Sequence, residues 1–409
     1  MRYENPTPSE KAPSPDPPPS IIGLALARPG ARRRRPTIIA LTLLLVLILG
    51  GIGGEIIVRA FATTYSLDDM ANASVLYRTA VFTRHRLVPD RTIVAINGDP
   101  ANAIHINHRG FRGRNFEPVK PEGTTRIIFL GGSSVFSHTR GPGRDWPHRV
   151  ETLLRDRGHN VECINTGVPG HDTLDSIGKF VTELWMYRPD YVVLYQGYND
   201  QKYFDALTTD RPYRDFCRTY VPEQDLRTHA EGLDRLLCRS KLYLELRYRL
   251  LSRIFGSEGA PKKDDAVKRV DRLSPTALEQ YRFNLRAICD LARDAGAVPV
   301  LCKQGRLVTP DNTPEELELL RFDFVGLTHD AWCRAFARCD GITEQVASEK
   351  NAPLIDVSAK VTGNLDYFHD HIHLTDQGED VVAEVVAQAL GEIMGQADPS
   401  TPGPLVKAR

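Results

Sequence analysis

Residues 126–134 read RIIFLGGSS and join a continuous apolar run to a turn of small residues. Consecutive apolar side chains bounded by glycine are typical of a strand that is buried on both faces of a sheet. Glycine at the end of such a strand lets the chain turn sharply, so Ser133 is presented at the carboxyl edge. Ligands of parallel sheets bind beyond that edge, and the turn is therefore the first candidate for a functional site.

Four more apolar runs follow, and helical patterns separate them. The runs are Val161–Asn165, Tyr191–Gln196, Val298–Cys302 and Pro353–Val357. Ser274 and Pro275 predict the start of one helix, with serine as the cap and proline at the first helical position. A last helix is predicted from about Thr375 to Met394. Apolar strands joined by helices predict a parallel five-stranded sheet that is covered on both faces.

Two regions fall outside this alternation of strands and helices. Residues 59–121 form a membrane-proximal segment that contains NHRGFRG at 107–113, and we expect a small β-rich lead-in there. Residues 203–273 interrupt the α/β region 122–396, and their leucine spacing predicts helices. An insertion at this edge of the sheet is expected to form a lid or one wall of the cleft. Residues 397–409 are expected to be a disordered tail.

The N-terminal residues carry the pattern of a membrane anchor. Residues 1–36 are rich in proline and end in Arg32–Arg35, which predicts a disordered tail. Residues 37–58 are almost wholly apolar and long enough for one transmembrane helix. The arginines should stay cytoplasmic, so the body is expected to be periplasmic or extracellular. The alternatives are a buried core helix and a signal peptide cleaved near Ala60–Ala62.

Composition narrows the function classes. The 409 residues include 52 basic and 52 acidic side chains, so the formal net charge is zero and a nucleic-acid partner is not indicated. Seven cysteines are scattered without a CxxC pair, which argues against a zinc knuckle or a thioredoxin-like site. If the body lies in an oxidising compartment, Cys217 and Cys238 are the first candidates for a disulfide.

Four loops that follow predicted strands carry residues suited to acyl transfer. Ser133 is a candidate nucleophile, and the backbone N–H of Gly170 and the amide of Asn199 are candidate donors to an oxyanion. Asp370 stands three residues before His373, where a carboxylate can orient the imidazole and stabilise its charged form. Each feature alone also fits an ordinary turn or helix cap. Together they place nucleophile, two donors and base at the one edge where a site is expected.

These loops allow two other interpretations. Ser134 is a second candidate nucleophile in the first turn. His369, His371 and His373 could share one side of an extended segment and bind a metal. No second cluster of aspartate or histidine ligands accompanies them in the sequence, so the metal site is the weaker hypothesis.

The order of these blocks resembles the SGNH hydrolase superfamily, also called GDSL-type esterases and lipases, over about Arg126 to Met394. The resemblance implies a flavodoxin-like three-layer α/β/α fold. It also implies a Ser133, Asp370 and His373 triad, with an oxyanion hole made by Ser133, Gly170 and Asn199. The first block of the family usually reads Gly-Asp-Ser, whereas Gly132 occupies the acidic position here.

The resemblance further implies a serine esterase that needs no metal or organic cofactor. With the anchor predicted at residues 37–58, the chain is expected to be a membrane-anchored member of bacterial type. Its expected substrates are carboxylic esters on an acylated glycan or lipid, with O-acetyl polysaccharide as one candidate. Two alternatives stay open at this point. An O-acyltransferase would use the same residues with a sugar hydroxyl in place of water, and a catalytically silent carbohydrate-binding module would use none of them.

Overall fold

The computed structural model describes most of the chain. The described residues are 34–61, 77–78, 80, 82–93, 102–205, 232–237, 240, 242–243, 246–247, 269–322 and 325–396. The proposed Cys217–Cys238 disulfide, most of the insertion 203–273, and the tails 1–33 and 397–409 lie outside these ranges. Five cysteines within them, at 163, 289, 302, 333 and 339, carry free thiols.

The N-terminal apolar segment is a single helix, α1, Arg34–Phe61. Within it, Pro36–Val58 is long and apolar enough to cross a membrane, and none of the span is buried inside the structure. Leu47, for example, has 72% of its surface exposed. The span is therefore not a core helix of the described structure.

The predicted parallel sheet is confirmed. Two short antiparallel pairs come first in the chain, followed by the five central strands. The strands are β1 Tyr77–Arg78, β2 Arg86–Leu87, β3 Arg91–Ile93, β4 Ile104–Ile106, β5 Thr125–Gly131, β6 Val161–Asn165, β7 Tyr191–Tyr195, β8 Val298–Lys303 and β9 Leu354–Asp356. The central sheet has the order β6-β5-β7-β8-β9, and every neighbouring pair is parallel. The chain therefore places β6 on one side of β5 and then crosses to place β7 on the other side. Open α/β sheets bind their ligands at such a point, where the strand order reverses.

Helices cover both faces of the sheet. The helices after α1 are α2 Ser133–Phe136, α3 Trp146–Asp156, α4 Thr173–Thr182, α5 Gly232–Leu237, α6 Pro275–Asp294, α7 Pro314–Leu319, α8 His329–Glu349, α9 Ser358–Val361 and α10 Asp376–Gln396. One layer contains α3 and α10, which pack on each other, and the other contains α4, α6 and α8. This is the three-layer α/β/α arrangement that the resemblance implies.

Local sequence explains where these helices begin. Ser274 caps α6 by accepting a hydrogen bond from the N–H of Ala277, and Pro275 takes the first helical position. Asp172 and Asp175 form a reciprocal capping box at the start of α4. Both caps stabilise orphan N–H groups of the first turn. The second of them also fixes the point at which the loop after β6 ends.

The lead-in packs directly on the central domain. Strands β3 and β4 pair with each other, and isolated bridges join Ile106 to Arg112 and Arg112 to Asn165, at the end of β6. A small hydrophobic cluster unites lead-in side chains with two from the domain. Its members are Leu87, Ile93, Ile104, Ile106, Phe136 and Val168. The lead-in therefore shares a core with the helix that begins at Ser133 and with the loop that contains Gly170.

The NHRGFRG segment is a compact turn. The Asn107 side chain accepts hydrogen bonds from the N–H groups of Arg109 and Phe111, at 3.0 Å each. Gly113 has a φ of +106°, and a Cβ there would overlap the His148 ring. Phe111 belongs to the main core. This turn explains the two glycines of the motif and fixes the position of Arg112 between them.

Candidate active site

Three predicted residues from opposite ends of the domain meet at the carboxyl edge of the sheet. Ser133 opens α2 directly after β5, and Asp370 and His373 lie on the loop before α10. His373 Nε2 is 2.8 Å from Ser133 Oγ, and His373 Nδ1 is 2.7 Å from Asp370 Oδ2. A carboxylate oxygen can only accept, so Nδ1 carries the proton. The neutral Nε2 is then free to accept the hydroxyl proton of Ser133.

The loop itself fixes the Asp370 carboxylate. Its Oδ1 accepts the backbone N–H groups of Ile372 and His373, at 2.9 and 2.8 Å. Burial of this carboxyl opposes its charged form, but the nearby His373 and these hydrogen bonds outweigh burial and hold the pKa of Asp370 well below its usual range. Asp370 therefore stays ionised and holds the His373 ring in place through Nδ1. The His373 ring is 31% exposed and can be reached from solvent.

The two predicted oxyanion donors lie on adjoining loops. Gly170, after β6, has a φ of +84°, a left-handed conformation that glycine adopts without strain. Asn199 follows β7, and its Nδ2 donates to the carbonyl oxygen of His171 at 2.8 Å. One amide hydrogen of Asn199 is thus used to fix the side chain, and the second remains for another acceptor.

The lack of a side chain at Gly132 allows the Asn199 amide to lie close to the turn that carries Ser133. A Cβ added at Gly132 would come well inside van der Waals contact of Asn199 Nδ2, and it would lie 3.0 Å from the carbonyl oxygen of His171. The absence of a side chain at this position therefore makes room for the amide.

The alternative candidates Ser134, His369 and His371 have surroundings that differ from those of Ser133 and His373. Ser134 is buried, and its Oγ accepts a hydrogen bond from Gln304 Nε2 at 3.1 Å, away from His373. His369 is exposed, whereas His371 is buried against the rings of Tyr198 and Trp332. In the described part of the chain, no group of three histidine, cysteine, aspartate or glutamate side chains is placed to hold a metal ion.

A second histidine ring lies beside His373. The ring of His138 meets that of His373 edge to face, with the centroids 5.6 Å apart. Burial, together with the neighbouring His373 and Arg112, lowers the pKa of His138 to about 3. His138 is therefore neutral at physiological pH and adds no positive charge beside His373.

Sequence reasoning missed a buried charged network behind α2. Arg112 donates to the carbonyl oxygens of Ser137 and Arg140 and lies 3.2 Å from Asp145. Asp145 also accepts from Asn165 Nδ2 at 2.8 Å. The network connects the segment after Ser133 with the end of β6. The NHRGFRG segment was noted in the sequence, but its role depends on which loop the fold brings to it.

Sequence reasoning also missed Arg84 and His85 in the lead-in. Arg84 Nη1 donates to the carbonyl oxygen of Gly170 at 2.8 Å, and His85 Nε2 lies 2.9 Å from that of Pro169. No periodicity or motif distinguishes these two residues in the sequence. Only the tertiary fold brings them to the loop that carries Gly170.

Comparison with known proteins gives a family match. A family model described as the GDSL-like Lipase/Acylhydrolase family matches residues 129–381, which is more than half of the chain. The matched range contains Ser133, Gly170, Asn199, Asp370 and His373. No curated protein matches the sequence.

Several solved structures are similar. A GDSL-like lipase from Bacteroides thetaiotaomicron has 14% identity and a TM-score of 0.36, with 66% of this chain and 89% of that chain covered. The acetyl xylan esterase AlAXEase has 14% identity and a TM-score of 0.38, with coverage of 65% and 99%. A mutant of Axe2, an acetyl-xylooligosaccharide esterase from Geobacillus stearmophilus, has 14% identity and a TM-score of 0.39, with coverage of 65% and 94%.

Proposed function

Because the chain belongs to the GDSL-like lipase/acylhydrolase family and is an ester-hydrolysing enzyme, we propose that Ser133, His373 and Asp370 are its catalytic triad. The observation that carries the proposal is the continuous hydrogen-bonded path from Ser133 Oγ through the His373 ring to Asp370, at 2.8 and 2.7 Å. Nucleophile and base are at hydrogen-bonding distance, and a third group orients the base.

The first half of the reaction follows from these contacts. Ser133 Oγ attacks the ester carbonyl carbon while His373 Nε2 removes the hydroxyl proton. The carbonyl π electrons move to oxygen and form a tetrahedral oxyanion. Asp370 stabilises the resulting imidazolium, which then donates its proton to the leaving alcohol as the ester C–O bond breaks. An acyl-enzyme on Ser133 remains.

The oxyanion is proposed to accept hydrogen bonds from the N–H groups of Ser133 and Gly170 and from the Asn199 amide. The N–H of Ser133 belongs to the first residue of α2, a position where a backbone N–H has no partner within the helix. Fixed donors of this kind stabilise the transition state more than the substrate, because the negative charge develops only there. Water, activated by His373, then releases the acid and restores Ser133.

The substrate class is proposed from the predicted topology of the chain. An enzyme body exported on a membrane anchor meets acylated glycans and lipids of the cell envelope, and we propose O-acetyl esters of polysaccharide as substrates. The anchor is α1, and the arginines at 32–35 are expected to hold its N-terminal end in the cytoplasm. Reporter fusions at residues 1 and 409 test the orientation, and opposite sides of the membrane are expected.

The catalytic proposal is tested with full-length protein in detergent. Wild type is expected to hydrolyse p-nitrophenyl acetate and to be labelled by a fluorophosphonate probe on the peptide that contains Ser133. Ser133→Ala should lose both properties, whereas Ser134→Ala should keep both. Equal hydrolysis by wild type and Ser133→Ala would remove Ser133 from the proposed role.

The substrate proposal has a separate test. Acetate release from O-acetylated polysaccharide is compared with hydrolysis of p-nitrophenyl esters of increasing chain length. Preference for long acyl chains, with no acetate release, would contradict the O-acetyl proposal and favour a lipid ester. Transfer of the acyl group to an added sugar, detected in the products, would favour an O-acyltransferase.

A further inference from the structure

Every carbonyl oxygen of the loop 169–171 accepts a hydrogen bond from a side chain. The donors are His85 Nε2 to Pro169 at 2.9 Å, Arg84 Nη1 to Gly170 at 2.8 Å, and two side chains to His171, Asn199 Nδ2 at 2.8 Å and Gln196 Nε2 at 2.7 Å. Two of these four donors come from the lead-in, which the matched family range at 129–381 does not include. The loop that carries Gly170 is therefore held in part from outside the matched range.

We propose that His85 is a positioning residue that aims the Gly170 N–H at the oxyanion, and that the lead-in is thus part of the active site. This inference rests on the proposed role of Gly170. The carbonyl of Pro169 and the N–H of Gly170 belong to one planar trans peptide and point in opposite directions. A donor that fixes the carbonyl oxygen fixes the N–H with it. Hydrogen bonding at the oxygen also polarises the peptide and strengthens the N–H as a donor.

The contacts of His85 assign its tautomer. A carbonyl oxygen can only accept, so His85 Nε2 must carry the proton that is donated to Pro169. His171 Nε2 is 2.8 Å from the backbone oxygen of His85 and must donate in the same way. Since 9% of His85 is exposed, water has little access to compete for these bonds. The lead-in and the loop are therefore cross-linked in both directions.

Arg84 adds an electrostatic link. Its buried guanidinium pairs with Asp172 and lies 3.1 Å from Asp175, the two residues of the α4 capping box. Burial raises the pKa of Asp172, the neighbouring Asp175 raises it further, and Arg84 opposes both effects. Loss of Arg84 would leave two carboxylates buried without their counter-ion, which is strongly destabilising. Variants of Arg84 therefore test folding more than catalysis, and His85 is the better target.

The residues on either side of Arg84 and His85 also pack closely against the domain. A Cβ at Gly178, inside α4, would overlap the backbone oxygen of Phe82. Leu87, two residues beyond His85, is buried in the small cluster with Phe136 and Val168. Contacts on both sides of Arg84 and His85 thus hold them against the loop.

The experiment compares four substitutions in the full-length protein. His85→Phe keeps a ring of similar size and removes the donor, His85→Gln restores an N–H at about the position of Nε2, and His85→Asn carries a shorter amide. His108→Phe is the matched control, because His108 is an exposed lead-in histidine that bonds Asn115 instead of the loop. Fluorophosphonate titration gives the active fraction, and kcat, KM and the inhibition constant of a boronic acid, which mimics the tetrahedral intermediate, are measured per active site.

We expect His85→Phe to lower kcat about 10–100-fold with little change in KM, since a misdirected donor is lost mainly in the transition state. Boronic acid affinity should fall in parallel, His85→Gln should recover most of the activity, and His108→Phe should match wild type. Wild-type kcat in His85→Phe, or an equal loss in His85→Phe and His85→Gln at intact folding, would overturn the proposal. If His85→Phe does not fold, equal kcat in the Gln and Asn variants would overturn it instead.

These outcomes are distinct from those for the catalytic proposal. An inactive wild type, or one equal to Ser133→Ala, would reject the triad and with it the premise of this inference. An active wild type, an inactive Ser133→Ala and a fully active His85→Phe would reject the role of His85 alone.

Discussion

Substitution of Gly132 by alanine is expected to damage catalysis while leaving the fold intact. The added Cβ would lie within the space that Asn199 Nδ2 now occupies. Ordinary van der Waals separation begins at about 3.4 Å, so the amide would have to retreat by roughly 1 Å, and an error of that size costs on the order of 100-fold in rate. Full loss of one oxyanion donor costs about 3–4 kcal/mol and sets the upper limit.

The backbone at Gly132 gives the reason to expect normal folding. Its φ of −90° is negative and so lies outside the left-handed region that favours glycine, and replacement of glycine by alanine reduces the entropy of the unfolded chain. Gly132→Ala should therefore keep the melting temperature and the full fluorophosphonate titre while kcat falls.

A double-mutant cycle makes this prediction specific to Asn199. If the added methyl group acts by displacing the amide, it has little further effect once Asn199→Ala has removed that amide. Assays with p-nitrophenyl acetate on both single variants and the double variant give the coupling energy. Wild-type kcat in Gly132→Ala, or the same fold-loss in the Asn199→Ala background, would refute the reasoning.

Three further outcomes are expected. Asp370→Asn should lower kcat by about 10³–10⁴, because the new NH₂ group forces His373 into the wrong tautomer. The fold should be retained, because the amide oxygen still accepts the loop N–H groups. Activity within tenfold of wild type would contradict this prediction. Ser134→Ala should keep kcat near wild type and lose about 1 kcal/mol of stability through the unpaired Gln304 amide, measured by urea unfolding. Burial raises the pKa of Glu379 from 4.5 to about 7, so the folded protein holds that proton more tightly than the unfolded chain does. The free energy of unfolding should therefore fall by up to about 3 kcal/mol as the pH rises from 4.5 through 7, and Glu379→Gln should lack this loss; parallel pH profiles of stability would contradict the assignment.

The presence and approximate boundaries of the five central strands were predictable from sequence, because apolar runs that are buried on both faces leave a strong local signal. The run RIIFLG was placed within one residue of β5. The positions of Ser133 and Asn199 just after their strands followed from the same pattern. The span of α1 was equally plain, since its length and uniformly apolar composition are properties of consecutive residues.

The lead-in residues that hold the loop of Gly170 were not predictable in this way. Arg84 and His85 stand in a segment without clear periodicity, and their partners at 169–175 lie more than 80 residues away along the chain. The close approach of the Asn199 amide to Gly132 likewise joins two loops that are distant in the chain.

Local sequence thus indicated which residues could form strands, helices and a candidate membrane span, and which side chains are chemically suited to acyl transfer. Tertiary structure alone decided that Ser133 and His373, 240 residues apart, share a hydrogen bond, and that a lead-in histidine holds the peptide of Gly170. Secondary-structure propensity and hydrophobic periodicity depend on residues that are neighbours in the chain. The direction of a hydrogen bond depends instead on the packing of segments that are distant in the chain.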